Sequence, residues 1–218
     1  MSFSMVCEQV LAQLEKIRIV PVLVLNDLDS GMKMCEILVE CGLPAAEVTF
    51  RTPAAAAIIK AASERFPELY LGAGTILNVA DLKRAFDSGA KFAVAPGFNP
   101  TVVRAAVENH VAFAPGVCTP SEVEQAMEFG CRFLKFFPAE AAGGTKMLKS
   151  IIAPYKHLGV RFMPTGGVTT ANVMEYLAIR EVAAVGGTWL GKADDIAAGN
   201  WEKIRDIVKQ AVALKEGK

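Results

Sequence analysis

A lysine set among aromatic residues in an apolar run is a candidate nucleophile, and this chain carries one. In Arg132-Phe-Leu-Lys-Phe-Phe-Pro138, Lys135 lies between Leu134 and Phe136, with Phe133 and Phe137 on its own side of an extended chain. Aromatic walls strip water from an ammonium group and favour the neutral amine, the form that adds to a carbonyl carbon to make a Schiff base. A lysine near a strand end can instead reach out to water, so the motif alone leaves both readings open. Glu47, Thr49 and Arg51 alternate with Val48 and Phe50, which puts the three polar residues on one face of a strand. Burying a carboxylate with a guanidinium is costly unless they pair or bind something. They read either as a structural ion pair plugging the interior or as a proton carrier beside a carboxylate clamp, for which the planar fork of Arg51 is suited. A guanidinium close to Lys135 would favour the neutral amine further.

Two glycine pairs, Thr165-Gly166-Gly167 and Gly186-Gly187-Thr188, end apolar runs. They are either plain turns or exposed backbone that lets an oxyanion approach closely. A short helix over Trp189–Ile196 would aim its N-terminus at the same anion. Gly72-Ala-Gly-Thr75 offers the Thr75 hydroxyl, and Ala95-Pro96-Gly97-Phe98 an apolar wall. Trp189 is expected to pack over the rim of the pocket, and Trp201 in a tail helix. His110 and His157 fall before strands, at the end away from these motifs, and read as structural.

The elements that must position these groups are regular. Eight short apolar runs recur, at Ile19–Leu25, Ala46–Arg51, Leu69–Gly74, Lys91–Ala95, Val111–Ala114, Arg132–Phe137, Arg161–Thr165 and Val182–Gly186. Segments of helical spacing lie between them at Asp29–Cys41, Pro53–Arg65, Val79–Ser88, Pro100–Asn109, Pro120–Phe129 and Thr170–Ala178. Thr52-Pro53, Asn99-Pro100 and Thr119-Pro120 each place a capping residue before a first-turn proline, and Gly42, Gly89 and Gly130 stand where helices should stop. Strands alternating with helices of this length pair in parallel through right-handed crossovers. Eight units predict a (β/α)₈ TIM barrel, a single domain over residues 1–218 with an extra N-terminal helix (Val6–Lys16) and a helical tail (Trp201–Leu214). An open doubly wound sheet is the competitor, but Leu25-Asn26-Asp27 carries no glycine-rich phosphate fingerprint. In a barrel, chemistry sits at the C-terminal strand ends, where these polar groups collect.

Composition narrows the partners. With 23 basic and 23 acidic residues the chain has no net charge, which argues against nucleic acid. The five cysteines (Cys7, Cys35, Cys41, Cys118, Cys131) and two histidines offer no zinc spacing, so no metal or cofactor is expected. The first residues lack the basic and apolar regions of a secretory signal, and no apolar run nears the roughly 20 residues of a membrane span, so a cytoplasmic protein is expected.

In order, Glu47-Val-Thr-Phe-Arg-Thr52, Gly72-Ala-Gly-Thr75, Ala95-Pro96-Gly97, Lys135-Phe-Phe-Pro-Ala-Glu140, Pro164-Thr-Gly-Gly167 and Gly186-Gly-Thr-Trp189 resemble the 2-keto-3-deoxy-6-phosphogluconate (KDPG) and 4-hydroxy-2-oxoglutarate (KHG) aldolases, across essentially the whole chain. The resemblance implies a homotrimer of the Entner–Doudoroff pathway that releases pyruvate and glyceraldehyde 3-phosphate from a keto-acid phosphate. It implies Lys135 as the Schiff-base lysine and Glu47 as the acid–base carboxylate. Arg51 and Thr75 would hold the substrate carboxylate, Gly166, Gly167, Gly187 and Thr188 the phosphate, and Pro96, Phe137 and Thr165 would wall the pocket. Thr188 departs from the family, where many members carry serine. An aldolase for the galactonate epimer and a non-catalytic phosphate-binding barrel are the alternatives.

Overall fold

In the computed structural model, which describes residues 1–215, the alternating apolar runs become parallel strands and the capped segments become the helices between them. The expected single-domain span of 1–218 runs past this limit, and residues 216–218 lie outside the described chain. Helix α1 (Phe3–Ile17) precedes β1 (Ile19–Leu23). There follow α2 (Leu28–Glu40), β2 (Ala45–Thr49), α3 (Ala55–Arg65), β3 (Tyr70–Gly74), α4 (Val79–Asp87), β4 (Phe92–Val94) and α5 (Pro100–Glu108). After β5 (Phe113–Ala114) and β6 (Gly116–Val117) come α6 (Pro120–Glu128), β7 (Phe133–Phe136), α7 (Gly144–Tyr155), β8 (Arg161–Pro164), α8 (Val173–Leu177) and β9 (Val185–Gly187). The chain ends in α9 (Ala193–Ala197) and α10 (Trp201–Lys215).

The strands form two parallel sheets, one of six in the order β5-β4-β3-β2-β1-β9 and one of three in the order β6-β7-β8. Only Pro115 separates β5 from β6, and its carbonyl accepts from the amide of Lys135 at 2.9 Å. Isolated parallel bridges, Phe162 to Val182 and Thr165 to Gly186, join β8 to the segment leading into β9. Every residue of β1, β2 and β7 is buried, as in parallel strands covered on both faces. One apolar cluster runs from Phe3 in α1 to Ala211 in α10, and so links the first helix to the last.

Local chemistry explains most helix starts. Asn99 accepts from the amide of Thr101 at 3.0 Å. Thr119 and Glu122 form a reciprocal capping box, an arrangement typically worth ~1 kcal/mol at its cap residue. Thr52 behaves otherwise: its hydroxyl donates to the carbonyl of Leu25 at 2.6 Å, and α3 begins only at Ala55, with Ala54 and not Thr52 at its cap position. Gly42, Gly89 and Gly130 follow helix ends with positive φ, as their spacing predicts. The expected fifth strand, Val111–Ala114, shortens to β5, and beyond Pro115, which has no amide to give to a ladder, lies β6, which was not expected. The helix expected over Thr170–Ala178 shortens to α8, and the eighth strand shifts to Val185–Gly187. Helix α7 has no counterpart in the sequence reading, because Gly143-Gly144 at its start and Pro154 inside it disguise the periodicity.

Candidate active site

Lys135 comes from β7 and Glu47 from β2, 88 positions apart in sequence, and they meet in the interior. The lysine Nζ lies 3.0 Å from Glu47 Oε1 and 3.2 Å from Oε2. Lys135 is 4% exposed and Glu47 1%, so bulk water replaces neither partner. This is the regime in which removing one member of a pair strands a charge. The Phe137 ring centroid lies 5.9 Å from Nζ, and Phe133 is buried on the strand's inward side, so the aromatic surroundings read from the sequence are present.

The expected grouping of Glu47, Thr49 and Arg51 on one strand face is only partly right. β2 ends at Thr49, and Arg51 lies in the following turn with an exposed side chain. Its Nε donates to Thr49 Oγ1 at 3.3 Å, while Thr49 itself donates to the Leu23 carbonyl at 3.0 Å. Glu47 therefore pairs with the lysine and not with the arginine, and the amine's charged neighbour is an anion rather than the anticipated cation. Among the described residues no carboxylate pairs with the arginine.

Lys135 and Glu47 open into a cavity of about 270 Å³ whose rim carries Thr49, Arg51, Thr75, Thr165 and Thr188. Val22, Pro96, Phe137 and Gly166 wall it. These residues sit near or just beyond the C-terminal ends of β1, β2, β3, β4, β7, β8 and β9, so the strand ends gather the set as expected. Val22 was not among the predicted site residues, since a valine inside an apolar run gives no signal; Thr49 was read as sharing the face of Glu47 but given no role. A second cavity of about 320 Å³ shares Val22, Arg51 and Thr188 with the first and adds Lys192 and Asp194. A separate groove of about 280 Å³ beside α4 and α5 is lined mainly by Val79, Leu82, Phe86, Ala105 and Val111, with no residue of the candidate set.

Gly167 and Gly187 do not line the cavity. A Cβ on Gly187 would fall 1.8 Å from the Trp189 ring, and one on Gly167 would fall 2.6 Å from the Cβ of Glu140. Each lacks a side chain because a neighbouring side chain occupies its face. Trp189 is accordingly buried beneath its loop and not laid over the rim, with an indole N–H that finds no partner among the described residues. The anticipated Trp189–Ile196 helix is two short pieces, a 3-10 turn at Trp189–Gly191 and α9, so no sustained helix end points at the cavity.

Two backbone features shape the site. Thr75 has φ of 59°, a left-handed conformation costing a β-branched residue roughly 1–3 kcal/mol, the kind of strain that collects at functional positions. Bonds from Phe50 N to Gly74 O at 2.8 Å and from Ile76 N to Val94 O at 3.2 Å hold it there. Next to it, a Cβ on Gly74 would sit 2.1 Å from Glu47 Oε1 and 2.7 Å from its carboxyl carbon. Gly74→Ala is expected to dislodge the carboxylate from Lys135 and to lower stability by about 1–3 kcal/mol, read as a smaller unfolding free energy in urea.

The remaining reactive groups lie elsewhere. His110 and His157 are exposed. Burial pushes the thiol of Cys7 up to about 11 and those of Cys35 and Cys131 up to about 12, which makes them poor nucleophiles. Among the described residues no three histidine, cysteine or carboxylate side chains come together as metal ligands.

Comparison with known proteins places the chain in a family. The profile of the KDPG and KHG aldolase family matches residues 10–207. The chain is 41% identical to the KHG/KDPG aldolase of Escherichia coli, covering 89% of this chain and 90% of that protein. It is 40% identical to the 2-dehydro-3-deoxy-phosphogluconate aldolase of Treponema pallidum, covering 92% and 95%. Among solved structures, the KDPG aldolase of Legionella pneumophila, with pyruvate captured as a covalent carbinolamine, superposes with a TM-score of 0.84 at 33% identity over 90% of this chain and 97% of that one. That of Zymomonas mobilis gives 0.84 at 37% identity, over 92% and 95%. Matched over residues 10–207 by one profile, and alike in sequence and fold to its members, this chain belongs to the KDPG and KHG aldolase family.

Proposed function

We propose that the chain is a class I aldolase that cleaves 2-keto-3-deoxy-6-phosphogluconate to pyruvate and glyceraldehyde 3-phosphate, and 4-hydroxy-2-oxoglutarate to pyruvate and glyoxylate. The observation that carries this reading is the dry contact between Lys135 Nζ and Glu47 at 3.0 Å. A proton passed from Nζ to Glu47 over that distance frees the lysine's electron pair. The amine adds to the C2 carbonyl, and the protonated Glu47 returns the proton to the carbinolamine hydroxyl, which leaves as water. The iminium is then the electron sink. Glu47 takes the proton from the C4 hydroxyl, C4–O becomes the aldehyde carbonyl, and the C3–C4 electrons move into an enamine. Protonation at C3 from Glu47 gives the pyruvate iminium, and water releases pyruvate and the lysine.

Arg51 and Thr75 are assigned to the substrate carboxylate, which the unpaired guanidinium fits as a planar fork. Gly166 and Thr188 are assigned to the phosphate, with Gly167 and Gly187 shaping the loops that carry it. Pro96, Phe137 and Thr165 keep the imine from water. The L. pneumophila structure with its captured carbinolamine supports the covalent route.

The same reading takes β5 and β6 as one strand and the two bridges at β8 as a seam, so that the sheets close into a (β/α)₈ barrel forming one domain with α1 as an extra helix. A homotrimer in the cytoplasm completes the proposal; no helix among the described residues is long and apolar enough to cross a membrane. Borohydride reduction with pyruvate tests the core of it. A stable pyruvyl adduct is expected on the peptide bearing Lys135, and a protein that binds the keto acid without an adduct would be the non-catalytic binder instead.

A further inference from the structure

The family motif ends in Glu140, a residue with no part in the chemistry above and no place on the cavity wall. Its contacts are nevertheless concentrated on one loop. Its side chain fills the face that Gly167 leaves open, with a Gly167 Cβ falling 2.6 Å and 2.8 Å from Glu140 Cβ and Cγ. Its amide donates to the Gly166 carbonyl at 3.0 Å, and the Ala139 amide to the Thr165 carbonyl at 2.9 Å. Its carboxylate accepts from the hydroxyl of Tyr176, a fully buried residue of α8, the helix that follows this same loop. Gly144 closes the far side, where a Cβ would approach Glu140 Oε1 to 3.3 Å. The loop is therefore gripped from the β7 side by a backbone ladder and from the α8 side through one side-chain hydrogen bond. Gly166 and Thr165, which this grip positions, do line the cavity.

We infer that Glu140 and Tyr176 are positioning residues that set the Thr165–Gly167 loop for the phosphate end of the substrate. The inference rests on the proposed function, because it takes that loop as the phosphate side. Burial, and then the bond to Glu140, pushes the Tyr176 hydroxyl's pKa above that of a free tyrosine, so it remains a donor across the working range of the enzyme. A hydrogen bond to a charged acceptor is worth about 1.5–3 kcal/mol. Its loss, felt through one loop, should therefore raise KM roughly tenfold or more.

The test separates the two ends of the substrate. Tyr176→Phe keeps the buried ring and removes the donor. KM for 2-keto-3-deoxy-6-phosphogluconate is expected to rise about tenfold with kcat within about twofold. The pyruvate concentration that half-saturates borohydride trapping should not move, since pyruvate has no phosphate. Glu140→Ala should copy this pattern, and Glu140→Gln, which keeps an acceptor oxygen for Tyr176, should restore the wild-type KM. Equal weakening toward pyruvate and the phosphorylated acid, no change in either, or a Glu140→Gln variant as impaired as Glu140→Ala would overturn the inference. If Tyr176→Phe does not fold, the two Glu140 variants carry the same decision. Failure of the wild type to trap pyruvate would be a failure of the aldolase reading itself, visible before any variant is made.

Discussion

Lys135→Ala is expected to lose borohydride-trappable pyruvate completely and to lower kcat/KM to background, the largest functional effect in the chain. Among the described residues no other lysine lines the reactive cavity; Lys192 lines the adjoining one. The same substitution removes the cation from a carboxylate that is 1% exposed. A buried charge left without its partner typically costs 3–5 kcal/mol, so Lys135→Ala should also unfold at lower urea concentration. The two effects can be separated. Lys135→Met combined with Glu47→Leu replaces both charges by apolar groups of similar size, and such replacements are commonly neutral or stabilising. The double variant is expected to recover the unfolding midpoint while remaining unable to form the imine. Recovered stability with no adduct would identify the pair as held for chemistry at a cost in stability. An adduct persisting in Lys135→Ala would place the nucleophile elsewhere and remove the basis of the mechanism.

Glu47→Gln is expected to behave differently, slow but still covalent. Gln cannot carry a proton between the amine, the carbinolamine hydroxyl and C3. The loss of such acid–base help lowers kcat by about 10²–10⁴. The amide oxygen can still accept from Nζ at the 3.0 Å separation that Glu47 Oε1 occupies, so the lysine keeps its place. Imine should therefore form on prolonged incubation with pyruvate, and the deficit should appear in kcat in single-turnover measurements. A Glu47→Gln variant within a few-fold of wild type would mean that another group moves the protons.

Much of the site was legible in the sequence because it follows from period-two alternation. Lys135 and Glu47 each lie in a run whose partners are apolar, and in parallel strands covered on both faces a charged residue has nowhere to go but the interior. What alternation cannot give is the partner. A pairing of Glu47 with Arg51, on the same expected strand, was one of the two open readings, and Glu47 pairs with a lysine from another strand instead. The choice depends on where β2 stops, and strand ends are set by loop packing as much as by composition. The glycines show the same limit. Gly166 and Gly167 are alike on paper, yet one faces the cavity and the other faces Glu140, a distinction of backbone direction that composition does not carry. Capping residues read correctly at Asn99 and Thr119, and incorrectly at Thr52, because the helix after it starts three residues later, at Ala55, out of reach of the expected cap geometry.

The pairing of β1 with β9 bears on how the molecule is made. Ile19, Val20 and Pro21 take as partners Val185, Gly186 and Gly187. During synthesis one edge of the first strand must therefore wait for its β9 partner until the residues through Gly187 have left the ribosome. Contacts so distant along the chain are slow to form, and open apolar strand edges invite association with other chains in the meantime. The nascent protein is thus most vulnerable to aggregation just before its last strand arrives.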